Sequence, residues 1–228
     1  ACRFGVVLLV LSWGRAGATH PPALDLTLLR LPPLRPCLYG GFLFRLGVGA
    51  LPSLLPLLMQ VGFGLSPFNS GLVTFSSAVG AMGMKTLAAR IIRTFGFRNI
   101  MIINAIVSSV FIAACALFTI TTPLLLIMII LVVGGFFRSL QFTSINALAF
   151  ADVPPQRMSK ATTLTSVAQQ LSLSLGISTG AITLQLVSNA NGGEITAAAF
   201  WPAFVVVSLI ALSSVVPVSR LSNDAGPE

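Results

Sequence analysis

The sequence predicts an all-α integral membrane protein, a bundle of six transmembrane helices. Hydrophobic residues make up 55% of the 228 residues and charged residues only 8%, which is too few charges to cover the surface of a soluble domain. At about 20 apolar residues for each crossing, the chain has room for roughly six or seven helices. Most of its Lys and Arg residues fall between the apolar runs, as they do in cytoplasmic loops.

One basic segment, residues 85–98, gives the chain a direction. It lies between two long apolar runs, and its basic residues and one of its glycines are Lys85, Arg90, Arg93, Arg98 and Gly96. Lys and Arg are retained on the cytoplasmic side of membrane proteins, so we predict a cytoplasmic loop here. Every other apolar segment then acquires its direction by alternation.

The chain before the first full span divides into two parts. Phe4 to Trp13 is an apolar run of about ten residues, which is too short to cross a bilayer, and we interpret residues 1–18 as the tail of a truncated transmembrane helix. A signal peptide is an alternative for this part. Residues 19–37 are rich in proline, which disfavours a continuous helix, and Arg30 and Arg35 assign this linker to the cytoplasm.

Residues 38–220 hold the six predicted spans, and residues 221–228 are predicted to form a cytoplasmic tail. The approximate spans are Leu38–Phe63, Gly71–Leu87, Asn99–Phe118, Leu124–Phe150, Ala161–Val187 and Ala197–Val218. Loops assigned to the inside hold Arg30, Arg35, Lys85, Arg90, Arg93, Arg98, Arg157, Lys160 and Arg220, whereas those assigned to the outside hold no Lys or Arg. A missed or extra helix would scramble this division, so the one-sided distribution supports six spans.

Two spans carry an arginine on a polar face. At 100° per residue, Arg45 shares a face of the first span with Gln60, and Arg138 shares a broad face of the fourth with Gln141 and Asn146. A charge near the bilayer centre costs roughly 3 kcal/mol, so Arg138 should face protein or water and is a functional candidate. The alternative is a structural arginine bonded to backbone carbonyls or to Gln141. Arg45 is close enough to the cytoplasmic edge to snorkel, which favours a structural role.

Small and polar residues mark two other spans. The second is rich in Gly and Ser (Gly71, Ser76, Ser77, Gly80 and Gly83), which favours close helix contacts in lipid. On the fifth, a polar stripe lies within about 60° of one line and comprises Thr162, Thr165, Gln169, Ser172, Gly176, Gly180 and Thr183. Such a stripe predicts either a helix contact or the wall of a wet cavity. Its length favours the cavity wall.

Several classes of function are disfavoured by what the spans lack. No Asp, Glu or His lies within any of the six predicted spans, whereas intramembrane hydrolases and proton relays use those residues. The chain is therefore not expected to be an enzyme. Three cysteines without CxxC spacing and a single histidine predict neither a metal site nor a cofactor. Because the arginines are scattered at helix ends, the net charge of +8 indicates contact with anionic lipid headgroups rather than with nucleic acid.

Several stretches resemble a known family. They are Leu51–Phe68, Ser70–Leu72, Gly83–Lys85, Arg93–Arg98, Phe137–Ser139, Asn146–Leu148 and Gln169–Gly176. Together they resemble the C-terminal half of major facilitator superfamily transporters in the fourteen-span, EmrB/QacA-like drug-efflux branch, particularly its MdtD-like members. Gly96 and Arg98 match the second copy of the superfamily's loop motif, whereas Ala89 and Arg93 stand where that motif has its first Gly and its Asp.

The resemblance implies a function as well as a fold. The chain would supply spans nine to fourteen of a secondary transporter that exports small amphipathic compounds by alternating access and proton antiport, in a bacterial inner membrane with its C-terminus in the cytoplasm. Half of the substrate wall would be formed by Arg45, Gln60, Arg138, Gln141, Asn146 and Gln169. The other half would belong to a missing N-terminal half, while Gly176 and Gly180 would serve helix packing. Two alternatives stay open: a partial or inactive gene product, and a half-transporter that needs a partner half.

Overall fold

A computed structural model describes residues 34–151, 153–190 and 192–220. Over these residues the chain consists of helices and the turns that join them. The helix tail predicted at residues 1–18, the linker up to residue 33 and the tail at residues 221–228 lie outside the described residues.

Six long helical segments follow one another in this part of the chain. The first combines α1 (Leu34–Gly49), α2 (Leu51–Leu57) and a π-helical turn (Leu58–Gly62). Four single helices follow: α3 (Pro67–Phe95), α4 (Phe97–Ala114), α5 (Leu124–Ala151) and α6 (Met158–Ala190). The last segment combines α7 (Phe200–Ser213) and α8 (Val215–Val218). Short 3-10 turns occupy Cys115–Leu117, Pro155–Arg157 and Ala197–Ala199.

Five of the described segments are long and apolar enough to cross a membrane. They cover Pro36–Gly62, Phe97–Leu117, Leu124–Ala151, Pro155–Ala190 and Ala197–Val218. The remaining segment, α3, is less apolar because Gly, Ser and Thr fill its middle and basic residues occupy its last turns. It nevertheless packs along its length against α5. The predicted all-α membrane bundle is confirmed.

The predicted cytoplasmic loop at residues 85–98 is helical, which corrects the sequence prediction. Lys85, Arg90 and Arg93 lie in the last turns of α3, and Arg98 lies in the first turn of α4. Ala, Leu, Lys and Arg are good helix formers, so nothing before Gly96 ends the helix. Gly96 has φ of 76° and ψ of 153°, a region of backbone conformation that is essentially restricted to glycine. The basic charges therefore mark the membrane edge rather than the end of a helix.

The first helix also begins earlier than predicted. α1 starts at Leu34, inside the segment assigned to the linker. Pro36 belongs to its first turn, where the missing N–H removes no helical hydrogen bond. Pro36 therefore belongs to the start of a helix and not to a linker.

The helices form a bundle in which α1 contacts α6 and α7, α4 lies between α5 and α7, and α3 packs mainly on α5. Its largest fully buried side chains include Phe44 of α1 and Phe200 and Phe204 of α7. The closest contacts join the parallel helices α1 and α6 and the parallel helices α3 and α5, and glycines lie at both contacts. Small residues permit this approach of one backbone to another in lipid.

Candidate functional site

A cavity of about 670 Å³ opens between four of the long helical segments. Its wall is formed by the first segment together with α3, α5 and α6. The lining residues are Arg45, Val48, Gly49, Leu51, Pro52, Leu55, Pro56, Gly71, Thr74, Phe75, Ser77, Arg138, Phe142, Asn146, Gln169 and Leu173. Most of this wall is apolar, and its charged groups are two arginines.

Prolines shape the wall that α1 and α2 contribute. Pro52 stands at the start of α2 and Pro56 lies inside it. A proline has no N–H, so the carbonyls of Val48 and Pro52 lose their usual helical donors. Pro52 and Pro56 lie on the same face as Arg45, as their spacing predicts, and all three line the cavity. Backbone acceptors therefore accompany the arginine along this wall.

Arg45 is held within the bundle. Its side chain is only 4% exposed, and its Nη2 donates a hydrogen bond of 2.7 Å to Oδ1 of Asn146 on α5. The guanidinium carbon also lies 5.5 Å from the centre of the Phe142 ring, within the range of a cation–π contact. Its Nε is buried without a hydrogen-bond partner among the described residues. One donor of this arginine is thus unused.

Arg138 lines the same cavity from α5 and is only partly buried. Its Nη2 donates a hydrogen bond to Oγ of Ser77 on α3. The neighbouring Ser139 donates through Oγ to the carbonyl of Ala81 at 3.0 Å, which adds a second bond between the same helices. A guanidinium has five N–H donors, so the bond to Ser77 leaves most of them available for other partners.

Three predicted residues of α5 and α6 line the cavity with Arg45. Arg138, Phe142 and Asn146 are spaced four residues apart, which places them on one face of α5. Gln169 lines the cavity from α6, next to Leu173. The structure thus brings together Arg45, Arg138, Asn146 and Gln169, four of the six residues proposed from the sequence.

Gln141 does not reach the cavity, which corrects its predicted place. It precedes Phe142 by one residue and is therefore turned about 100° around the helix, toward α4. Its Oε1 accepts a bond of 3.0 Å from Nδ2 of Asn104, and its Nε2 donates to the carbonyl of Met101 at 3.1 Å. Because the amide is fully buried and satisfied on both sides, Gln141 joins α5 to α4.

Gln60 also lies away from the cavity, in the π-helical turn. Its side chain is exposed, and its Nε2 donates a bond of 3.5 Å to Oγ of Ser70 on α3. The π-helical turn is closed by a bond from the N–H of Phe63 to the carbonyl of Leu58, five residues apart. This wider turn changes the register, so the 100° spacing that places Arg45 and Pro56 on one face fails at Gln60.

The polar stripe of the fifth span is largely a helix contact. A Cβ placed on Gly176 would collide with the carbonyl of Leu46, and one placed on Gly180 would lie 2.9 Å from the Cβ of Ala50. Gly49 of α1 faces the backbone of Leu173 in the same contact. Of the stripe, only Gln169 lines the cavity, which corrects the expectation of a long wet wall.

Sequence reasoning missed several cavity residues, and Ser77 matters most among them. Ser77 appeared as one of many small residues of the second span, and no periodic signal separates it from the others. It receives the bond from Arg138, and its carbonyl would collide with a Cβ at Gly135. Phe75, Phe142 and Leu173 were also missed, because aromatic and aliphatic residues are expected almost anywhere in a membrane helix.

The cavity has no acidic side chain to balance its arginines in the part of the chain that the structure describes. Glu194 is the only acidic residue there, and it lies in the loop before α7. Intramembrane arginines usually pair with acids, backbone carbonyls or water. This cavity therefore carries a net positive charge as far as the described residues go.

The sequence of the chain matches a known family over most of its length. Residues 10–177 match the family described as Major Facilitator Superfamily. The chain belongs to this superfamily. Its helical bundle and its cavity between helices are in keeping with that membership.

Several relatives carry the name multidrug resistance protein MdtD. The protein from Yersinia enterocolitica is 29% identical over 97% of this chain and 48% of its own length. The protein from Serratia proteamaculans is 33% identical over 78% of this chain and 37% of its own length. The protein from Pectobacterium carotovorum is 30% identical over 93% of this chain and 46% of its own length. The chain thus spans about half the length of the relatives it matches, and it is MdtD-like.

Proposed function

We propose that this chain forms the C-terminal half of a secondary transporter that exports small amphipathic compounds across a bacterial inner membrane. The observation that carries the proposal is the cavity between α1–α2, α3, α5 and α6, which combines apolar walls with two arginines. Ligand sites of this size and composition are typical of small-molecule binding. In transporters with repeated halves, such a site lies at the interface of the halves and is exposed alternately to the two sides.

The coupling ion in this proposal is the proton. The described spans contain no acidic residue that could carry one, so the titrating carboxylate would belong to the N-terminal half. A positive charge at Arg138 or Arg45 would favour the ionised form of a carboxylate placed across the interface. The two halves would then share the coupling site as well as the substrate site.

Efflux measurements test this function. The experiment uses the proposed full-length transporter, in which an N-terminal half precedes this chain; it is called the long protein below. In proteoliposomes with an imposed pH gradient, the long protein should expel amphipathic dyes, and collapse of the gradient should stop the efflux. The chain alone should not transport, because a single bundle has no opposing wall. Efflux by the chain alone would refute the need for a partner half, and no efflux by the long protein would favour an inactive product.

Thiol labelling tests the proposed orientation. Thr121 and Gln156 are both exposed and lie at opposite ends of α5. In a background with the native cysteines replaced, a cysteine at Thr121 should react with an impermeant reagent in intact cells, whereas one at Gln156 should not. The reverse pattern would show that the basic end faces outward.

A further inference from the structure

A second, smaller cavity continues the first toward the basic end of α3. It measures about 340 Å³ and shares Arg138, Phe142 and Asn146 with the main cavity. Lys85 lines this smaller cavity and is exposed. A molecule that moves from the basic end of the bundle into the main cavity would therefore pass Lys85 before it met the wall that holds Arg45 and Arg138.

These cations lack acidic partners within the described residues. Among the described residues, the polar partners of Arg138 and Arg45 are Ser77 and Asn146, both neutral, and Nε of Arg45 is buried without a bond to any of them. Burying a charge without a counter-charge is costly. An anion that accepts hydrogen bonds from the unused guanidinium N–H groups would complete this site.

The apolar residues around the arginines describe the rest of that ligand. Phe75 and Leu173 face the cavity from two different helices, and Phe142 lies beside both arginines. An aromatic or aliphatic body would pack on these side chains while its oxygen atoms met the guanidinium groups. Guanidinium binds carboxylate in a planar, two-bond geometry.

We propose that the cavity binds amphipathic organic carboxylates, with Arg138 as the principal anchor and Arg45 as the second cation. This inference rests on the proposed transport function for its physiological meaning but concerns binding alone. Whenever the carboxylate proposed for the other half is protonated, a cationic amphiphile of the same shape would meet repulsion from two arginines that have no acidic partner among the described residues. Lys85 would attract the anion at the mouth of the smaller cavity.

The test compares two fluorescent probes with the same ring, 2-naphthoate and 2-naphthylmethylamine. Binding to the purified long protein in nanodiscs should favour 2-naphthoate by about tenfold or more, a difference of about 1.4 kcal/mol. Arg138→Gln should weaken 2-naphthoate binding by a similar factor, and Arg138→Lys should weaken it less. Arg90→Gln is the matched control, since Arg90 is exposed at the end of α3 and the charge change is identical.

Equal or tighter binding of the amine would overturn the inference and would indicate that an acid of the other half reverses the charge of the site. Unchanged 2-naphthoate binding in folded Arg138→Gln would also overturn it. The comparison of the two probes needs no variant, so it decides the matter even where Arg138→Gln fails to fold. Carboxylate binding without efflux would refute the transport function alone, whereas amine efflux without carboxylate binding would refute this inference alone.

Discussion

The two sides of the cavity are built alike but hold their arginines differently. α1 and α6 run parallel and touch through Gly49 and Gly176, while α3 and α5 run parallel and touch through Gly80 and Gly135. On the first side, Arg45 is buried and bonded to Asn146 across the bundle. On the second, Arg138 is partly exposed and, among the described residues, is bonded only to a serine hydroxyl, at the junction of two cavities.

This difference gives Arg45 a structural role in addition to its charge and makes Arg138 the main group for binding a ligand. Arg45 connects α1 to α5, so its loss would disturb the packing of two helices. Arg138 has donors to spare and lies where a ligand can reach it, so its loss would change what the cavity binds. The sequence places both residues in apolar helices, yet only their surroundings distinguish their roles.

The largest expected effect comes from the glycines that permit both contacts. Gly135→Ala and Gly176→Ala would each place a Cβ against a carbonyl of the neighbouring helix, Ser77 in the first case and Leu46 in the second. The helices must then separate, and the cost of that separation exceeds the stability that Ala adds to a helix. We therefore expect little folded protein in membranes. Gly83→Ala is the control, because nothing lies within 4 Å of its Cβ position. Normal levels of either variant would contradict the close packing on that side.

Next in size is the effect of Arg138 on transport. In the long protein, Arg138→Ala should abolish efflux while the amount in the membrane stays normal, because within the described part of the chain only the bond to Ser77 is lost. Arg138→Lys keeps the charge but loses the planar geometry, so partial efflux is expected. Efflux and membrane levels are measured together. Parental efflux in Arg138→Ala would show that Arg138 has no essential role, and failure to accumulate would show that its role is structural.

Arg45 should behave in the opposite way. Arg45→Ala removes a buried side chain and leaves Oδ1 of Asn146 without its donor, at a cost of about 2 kcal/mol in unfolding free energy. We therefore expect a lower thermal unfolding midpoint and less protein in the membrane. In the double variant with Asn146→Leu the loss should be smaller than the sum, because the unpaired acceptor is gone. Full additivity would mean that the bond contributes nothing.

The smallest effect is expected at the joint between α3 and α4. Gly96→Ala meets no neighbouring atom within 4 Å, so its cost arises only from the positive φ and should be about 1 kcal/mol. Binding to the cavity should not change. A stability equal to that of the parent would mean that this joint adopts another backbone conformation, and a change in binding would mean that the joint influences the α3–α5 side of the cavity.

Some features followed from the sequence because they depend on local spacing. Arg45, Pro52 and Pro56 share a face of one helical segment, and the structure has them on one wall. Asn146 follows Arg138 by eight residues, close to two helical turns and one turn beyond Phe142, and it too faces the cavity. Such relations need only the helical period.

Other features could not be predicted from the helical period of about 3.6 residues. The π-helical turn moves Gln60 off its predicted face, and a rotation of one residue turns Gln141 toward Asn104 instead of the cavity. The basic charges predict a loop at Lys85 and Arg90, whereas both residues lie in α3, because charge reports depth in the membrane and not the end of a helix.

The sequence by itself determined that the chain is helical and lies in a membrane, because charges are scarce and apolar runs of about 20 residues match the length of a transmembrane helix. It also determined which residues are costly to bury, since each arginine in an apolar run carries that cost wherever it lies. The tertiary structure decided which glycines carry contacts, which serine receives Arg138 and which arginine has donors to spare. Those outcomes depend on how neighbouring helices align, and residues far apart in the chain meet only after the bundle has formed.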